Sequence, residues 1–123
     1  MTDTFAFAET LGLEFGESGT DGESVVRLDA GDRHLNVGGI VHGGVVATLL
    51  DTAMGRVVRD VTGSSTATTQ LTVTYLDPAK PGLLEARAWI GKRGSSLSIV
   101  EAEVTQDGET VAHALATFAL LGG

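Results

Sequence analysis

The stretch from Gly43 to Val58 constrains this chain more than any other. Val45, Val46, Leu49, Leu50, Ala53, Met54, Val57 and Val58 recur at helical spacing, and no proline interrupts them. From Val45 to Met54 apolar residues cover nearly the whole circumference. A helix that is apolar all round belongs inside a fold, so the rest of the chain must cover it. One carboxylate, Asp51, sits in the middle of this helix. Its neighbours three and four positions away are Ala47, Thr48, Met54 and Gly55, so no cation pairs with it along the helix. Arg56 falls on another side. Aspartate is almost never fully buried without a partner. Asp51 therefore either faces a polar cleft or is a core residue satisfied by hydroxyls and backbone groups.

The start of the helix offers a second chemical feature. Gly43 and Gly44 carry no side chains, so a ligand oxygen can approach the free N–H groups of the first turn, where the helix dipole is positive. An anion or a polarised carbonyl suits such a place; a simple Gly-Gly turn is the competing reading. Gly43 and Asp51 are eight positions apart, roughly 12 Å along the axis at ~1.5 Å per residue. One small electrophilic carbon cannot touch both. If both act on one carbon, they come from two helices, and the chain has one helix of this kind. The inference is a homodimer in which Gly43 of one chain approaches the partner's Asp51.

The spacing H-x-N-x-x-G-x-x-H-G-G, followed by L-x-D-x-A-x-G, is filled by His34, Asn36, Gly39, His42, Gly43, Gly44, Leu49, Asp51, Ala53 and Gly55. This pattern resembles the hotdog-fold acyl-CoA thioesterases of the phenylacetic-acid-degradation (PaaI-like) type. Thr74-Tyr-Leu-Asp-Pro-Ala79 also resembles a strand end of that family, and the likeness covers almost the whole chain. The resemblance implies an α+β hotdog fold, an antiparallel sheet wrapped around one long central helix. It implies hydrolysis of an acyl-CoA thioester, aryl or medium-chain, to free acid and CoA.

The resemblance also implies roles. Gly43 N–H polarises the thioester carbonyl, with Gly44 beside it at the substrate. Asn36 holds the carbonyl or water, and His42 orients the loop. Asp51 from the other chain is the general base or the nucleophile. A Ser or Thr on the following strand positions water. Counting back from Tyr75 gives Thr68, which strict alternation places on the polar face with Gln70, while Thr69 falls with Leu71. Taken singly, Asn36 reads as a turn residue and His42 as a cap; their joint spacing with Asp51 favours a site. His34 and His113 read as structural.

Bulk properties narrow the field. The chain has 123 residues, enough for one domain (1–123) and too few for two. It has no cysteine, and its three histidines lack metal-ligand spacing, so neither thiolate chemistry nor a zinc site is expected and no cofactor is called for. A net charge of −8 argues against binding nucleic acid. No run reaches membrane-span length and the acidic start lacks a signal pattern, so the expected setting is the cytoplasm, without a membrane. Lys80 and Lys92 are the sole lysines; a high-salt cytoplasm and a GC-rich genome both give such depletion. Lys92-Arg93-Gly94 reads either as a solvated hairpin tip or as a grip on the phosphates of CoA, with Lys80 and Arg33 as competitors.

Along the chain, Thr2 to Leu11 reads as a short amphipathic helix with Thr4 as a cap. Gly12–Phe15 and Ser24–Leu28 read as strands joined by a turn from Gly16 to Gly22. The central helix fades near Arg59. Strands follow at Ala67–Leu76, Leu83–Lys92, Ser96–Gln106 and Thr110–Leu121, the last two joined by the turn signal Gln-Asp-Gly-Glu. Leu84, Ala86, Ala88 and Ile90 form one face of the second of these, and Val100, Ala102 and Val104 one face of the third. Pairing two copies extends the sheet and hides an edge; a dimer of dimers, a homotetramer, stays open beyond it. Two other functions compete: a hotdog hydratase or dehydratase, and a non-catalytic acyl-CoA-binding protein. The His-Gly-Gly loop with a mid-helix Asp favours the thioesterase; a sensor needs an output domain, and no spare DNA-binding segment is expected within these residues.

Overall fold

A computed structural model describes residues 5–19 and 21–122. The elements are α1 (Ala6–Leu11), β1 (Glu14–Ser18), β2 (Glu23–Ala30), a 3-10 turn (Asp32–His34), α2 (Gly43–Thr62), β3 (Ser65–Tyr75), β4 (Gly82–Arg93), β5 (Leu97–Gln106) and β6 (Glu109–Gly122). The strands form one six-stranded antiparallel sheet in the order β1-β2-β4-β5-β6-β3. Helix α2 lies against one face of it. This is the α+β arrangement expected from the resemblance.

The sheet earns its partner by alternation. Leu84, Ala86 and Ala88 of β4, Val100, Ala102 and Val104 of β5, and Ala112, Ala114 and Ala116 of β6 are all fully buried. They meet Val46, Leu49, Leu50, Ala53, Met54, Val57 and Val58 of α2, all buried too. Small alanines on the sheet leave room for the branched helix residues. Gly55 lets the helix come close to β6, since a Cβ there would stand 3.2 Å from the Phe118 ring. The β5–β6 hairpin turns through Asp107 and Gly108 with φ of 51° and 80°, as a two-residue loop of opposite hand requires.

Several local expectations need correction. α2 does not fade at Arg59. It runs to Thr62, because Val57 and Val58 are still buried and Gly63, at φ 75°, closes the end with its N–H on Arg59 O. Nor is α2 covered all round in one chain. Thr48, Asp51, Thr52 and Gly55 form a half-buried stripe on the side the sheet leaves open. The first turn is shorter than Gly16–Gly22, since β1 extends to Ser18. Phe5 stands at the N-cap of α1 without a side-chain cap; Thr2 and Thr4 lie outside the described residues.

The correction that matters most concerns β3. Residues directly opposite in an antiparallel pair share a face. Leu71 pairs with Ala116, Val73 with Ala114 and Tyr75 with Ala112, so all three face the helix side. Between Gln70 and Thr68 the register shifts: Gln70 pairs with Thr117 and Thr68 with Phe118, leaving Thr69 as an extra residue. This bulge turns Thr68 to the helix side, opposite buried Phe118. Strict alternation, which groups Thr68 with Gln70, fails for that reason. No described helix is long and apolar enough to cross a membrane.

Candidate active site

The loop leading into α2 is fastened residue by residue. His34 is buried; its Nδ1 accepts the Gly31 N–H at 2.9 Å and its Nε2–H donates to Leu11 O at 2.7 Å. It is held as a structural residue, both ring nitrogens bonded to backbone. His34 O accepts the His42 N–H at 2.7 Å, and Val41 N–H donates to Ala79 O at 2.8 Å. Asn36 Oδ1 accepts from Gly38 N–H at 2.9 Å and Ile40 N–H at 3.3 Å, which shapes the loop through Gly39 at φ 82°. Its Nδ2 has no hydrogen-bond partner among the described residues. Asn36 is thus a turn residue with a spare donor.

His42 is the N-cap of α2, its Nδ1 accepting the Gly44 N–H at 2.9 Å. Thr48 Oγ1 donates to Gly44 O at 2.8 Å. The Gly43 N–H has no partner among the described residues and is open to a ligand. Tyr75 Oη donates to Gly43 O at 2.6 Å. An apolar cavity of about 320 Å³ opens here, lined by Asn36, Ile40, Gly43, Val46, Tyr75, Leu76 and their neighbours.

Asp51 lies elsewhere along α2. Its Oδ1 accepts from Thr68 Oγ1 at 2.7 Å. It lines a second cavity of about 310 Å³ with Thr48, Thr52, Arg56, Arg59 and Phe5, Phe7, Phe15 and Phe118. These are all four phenylalanines of the chain. Arg56 turns away to Val25 O at 2.9 Å and over the Phe15 ring. No residue lines both cavities. Within one chain, Gly43, Asn36 and His42 come together, and Asp51 and Thr68 come together, but the two groups stay apart.

Lys92 and Arg93 join neither group. Both are exposed, beyond a second bulge at Gly91, and Arg93 lines a polar recess with Thr62, Ser64 and Ser95 near the C-terminal end of α2. Tyr75 and the phenylalanine cluster are not apparent as site residues from the sequence. The Tyr75-Leu76 signal was visible as a strand end, but its contact with Gly43 depends on where β3 stops. The phenylalanines are too scattered along the chain to read as one cluster.

The thioesterase superfamily model matches residues 38–113. A Halobacterium salinarum protein provisionally named an esterase is 37% identical over 101 residues, which cover 76% of this chain. That match spans 66% of the Halobacterium protein, just under two thirds of its length. Human acyl-coenzyme A thioesterase 13 is 28% identical over 108 residues, 85% of this chain and 76% of that protein. Among solved structures, the E. coli PaaI protein from the phenylacetic acid degradation operon superposes with a TM-score of 0.89 at 26% identity, covering 98% of this chain and 88% of that one. With its loop, its central helix and its sheet order, the chain belongs to the thioesterase superfamily, among the PaaI-like hotdog proteins.

Proposed function

We propose that the protein hydrolyses acyl-CoA thioesters to free acid and CoA in the cytoplasm, at two equivalent sites shared across a homodimer. One observation carries this reading. The Gly43 N–H and the Asp51 carboxylate, about 12 Å apart along one helix by its rise per residue, open into separate cavities, each holding half of the chemistry a thioester needs.

The arrangement of β3 supports a way to join the halves. This edge strand holds both, Asp51 through Thr68 and Gly43 through Tyr75. If β3 pairs antiparallel with its own copy about a two-fold axis at Thr72, Leu71 faces the partner's Val73 and Gln70 the partner's Thr74. With Thr69 as the extra residue, Thr68 then stands opposite the partner's Tyr75. Every such pair shares a face, as antiparallel pairing demands. The Gly43 end of one chain meets the Asp51 end of the other.

In that site Gly43 N–H donates to the thioester oxygen, and Asn36 Nδ2 supplies a further donor. One such donor is worth roughly 10²–10³-fold in comparable sites. With Oδ1 held by Thr68, the Asp51 carboxylate takes a proton from water as the water oxygen attacks the carbonyl carbon. The tetrahedral intermediate collapses, the C–S bond breaks, and the CoA thiolate leaves and takes up the proton that Asp51 accepted from water, which returns Asp51 to its carboxylate form. The phenylalanine-lined cavity suits an apolar acyl group. Arg93, with Lys92, supplies positive charge for the distal phosphates of CoA.

Release of free thiol from a panel of acyl-CoAs tests the activity. Asp51→Asn keeps size and shape but removes basicity, and should cut turnover by roughly 10²–10⁴ without unfolding the dimer. Mixing this variant with one blocked at Gly43 by a bulky residue should restore activity, since each heterodimer has one intact site. Folded heterodimers with no activity would place the whole site within one chain. A fully active Asp51→Asn protein removes Asp51 from the mechanism.

A further inference from the structure

Tyr75 has no assigned role, yet its hydroxyl makes one of the most specific contacts in the molecule. Tyr75 Oη donates to Gly43 O at 2.6 Å, and the ring packs so closely that a Cβ on Gly43 would stand 3.3 Å from Oη and 3.4 Å from Cζ. Gly43 O and the Gly44 N–H belong to one peptide unit. That N–H donates to His42 Nδ1 at 2.9 Å. The contacts thus form a chain from Tyr75 O–H through the Gly43–Gly44 peptide to the His42 ring. Bonds in such a chain polarise one another in the same direction.

Two glycines in the first turn of a helix are the residues least able to hold their own conformation. The first N–H groups of the helix have no intrahelical acceptor to steady them. Here the peptide between the glycines is held at both ends by side chains, and the next carbonyl, Gly44 O, by Thr48. A His42 ring whose Nδ1 accepts a backbone N–H carries its proton on Nε2 when neutral.

We propose that Tyr75 is a positioning residue. It holds the Gly43–Gly44 peptide on one side of Gly43 while the His42 N–H bond to His34 O holds the chain on the other, so that the intervening His42–Gly43 peptide, which carries the Gly43 N–H, is aimed before substrate arrives and His42 is kept as its Nε2–H tautomer. The inference rests on the function proposed above for what that N–H does. The arrangement itself can be tested without that function. Tyr75 sits at the end of β3, so the strand that sets the dimer edge also sets the oxyanion donor. A donor aimed in advance costs no reorganisation during the reaction.

Tyr75→Phe removes one hydroxyl and leaves the ring on Gly43. The expected result is a fall in kcat of roughly five- to twentyfold with KM changed by less than about twofold. Amide exchange at Gly44 should quicken, and ¹⁵N chemical shifts of the His42 ring should move from the pure Nε2–H pattern toward a mixture of tautomers. Thr74→Ser, a neighbouring change on the opposite face of β3, should move none of these. If Tyr75→Phe leaves Gly44 exchange and the His42 tautomer as in the parent, the proposal is overturned, whatever kcat does. A rise in KM with unchanged ring and amide signals would make Tyr75 a substrate contact instead and would equally overturn it. Should the parent release no thiol from any acyl-CoA, the reaction proposed above fails, while the exchange and ring signals still decide the role of Tyr75.

Discussion

The sheet ends in two edges that treat a neighbouring strand in opposite ways. β1 is five residues long, bulged between Phe15 and Ser18, and carries Glu14 and Glu17. Glu17 lies 3.4 Å from Arg27, and a backbone hydrogen bond together with that guanidinium holds its carboxyl below the ordinary carboxylate range. Short, bulged and charged edges repel further pairing. β3 is eleven residues long and has no charged residue from Ser65 to Tyr75. Most of its side chains are exposed, Tyr75 at 50% and Leu71 at 37%. In a chain that is 20% charged, such an edge is an invitation to pair. The lesson is that an edge is closed or opened by its sequence, and here the open one carries both ends of the candidate site.

The sharpest way to break this contrast is to put the same charge on each edge. Thr72→Lys places two lysines across the proposed two-fold axis, where like charges oppose pairing. Sedimentation should show a monomer, and thiol release should fall by more than about a hundredfold, because neither half acts alone. Glu17→Lys on β1 should leave sedimentation unchanged and activity within about twofold, since an exposed ion pair contributes little. A Thr72→Lys protein that stays dimeric and active would move the interface away from β3.

A smaller effect tests the bulge. Thr68→Val removes the donor to Asp51 and should lower kcat roughly tenfold, about the worth of one hydrogen bond to a charged group. Thr69→Val should change kcat little, since the Thr69 hydroxyl serves Thr117 O at 3.1 Å. The reverse ranking would return the site to the unbulged register. The smallest effect belongs to the exposed end of β4, where Lys92 and Arg93 join neither half of the site. Lys92→Ala with Arg93→Ala should raise KM for acyl-CoA by about three- to tenfold and leave a pantetheine thioester unaffected. Assembly should not change.

Much of this was legible in the residues. The start of α2 and the residues of its buried face follow from its apolar spacing, the β5–β6 turn from Asp-Gly, and the separation of Gly43 from Asp51 from counting alone; the end of α2 at Thr62 does not. What the residues did not display is where regularity breaks. Nothing in Thr68-Thr69 distinguishes a bulge from plain alternation, because both residues have the same side chain and the extra one is defined by its partner strand. Thr68 is the residue beside Asp51 although alternation assigns it to the other face. The open stripe on α2 was hidden for a related reason. Periodicity reports which residues can be buried, and which of them one sheet covers depends on how far that sheet curls.

The order of the strands also has a consequence for how the chain assembles in time. β5 and β6 close through a two-residue turn, and β4 and β5 through a short one, so this meander forms at little entropic cost. β3 must reach β6 across 37 residues at Tyr75–Ala112 and 57 at Ser65–Gly122. Contacts so distant in sequence are slow to close. The edge that invites a partner is therefore expected to dock after the β4–β5–β6 meander has formed. Until β3 docks, Thr68 is not beside Asp51 and Tyr75 is not beside Gly43. A half-folded chain then offers other copies neither a finished β3 edge nor a working half-site.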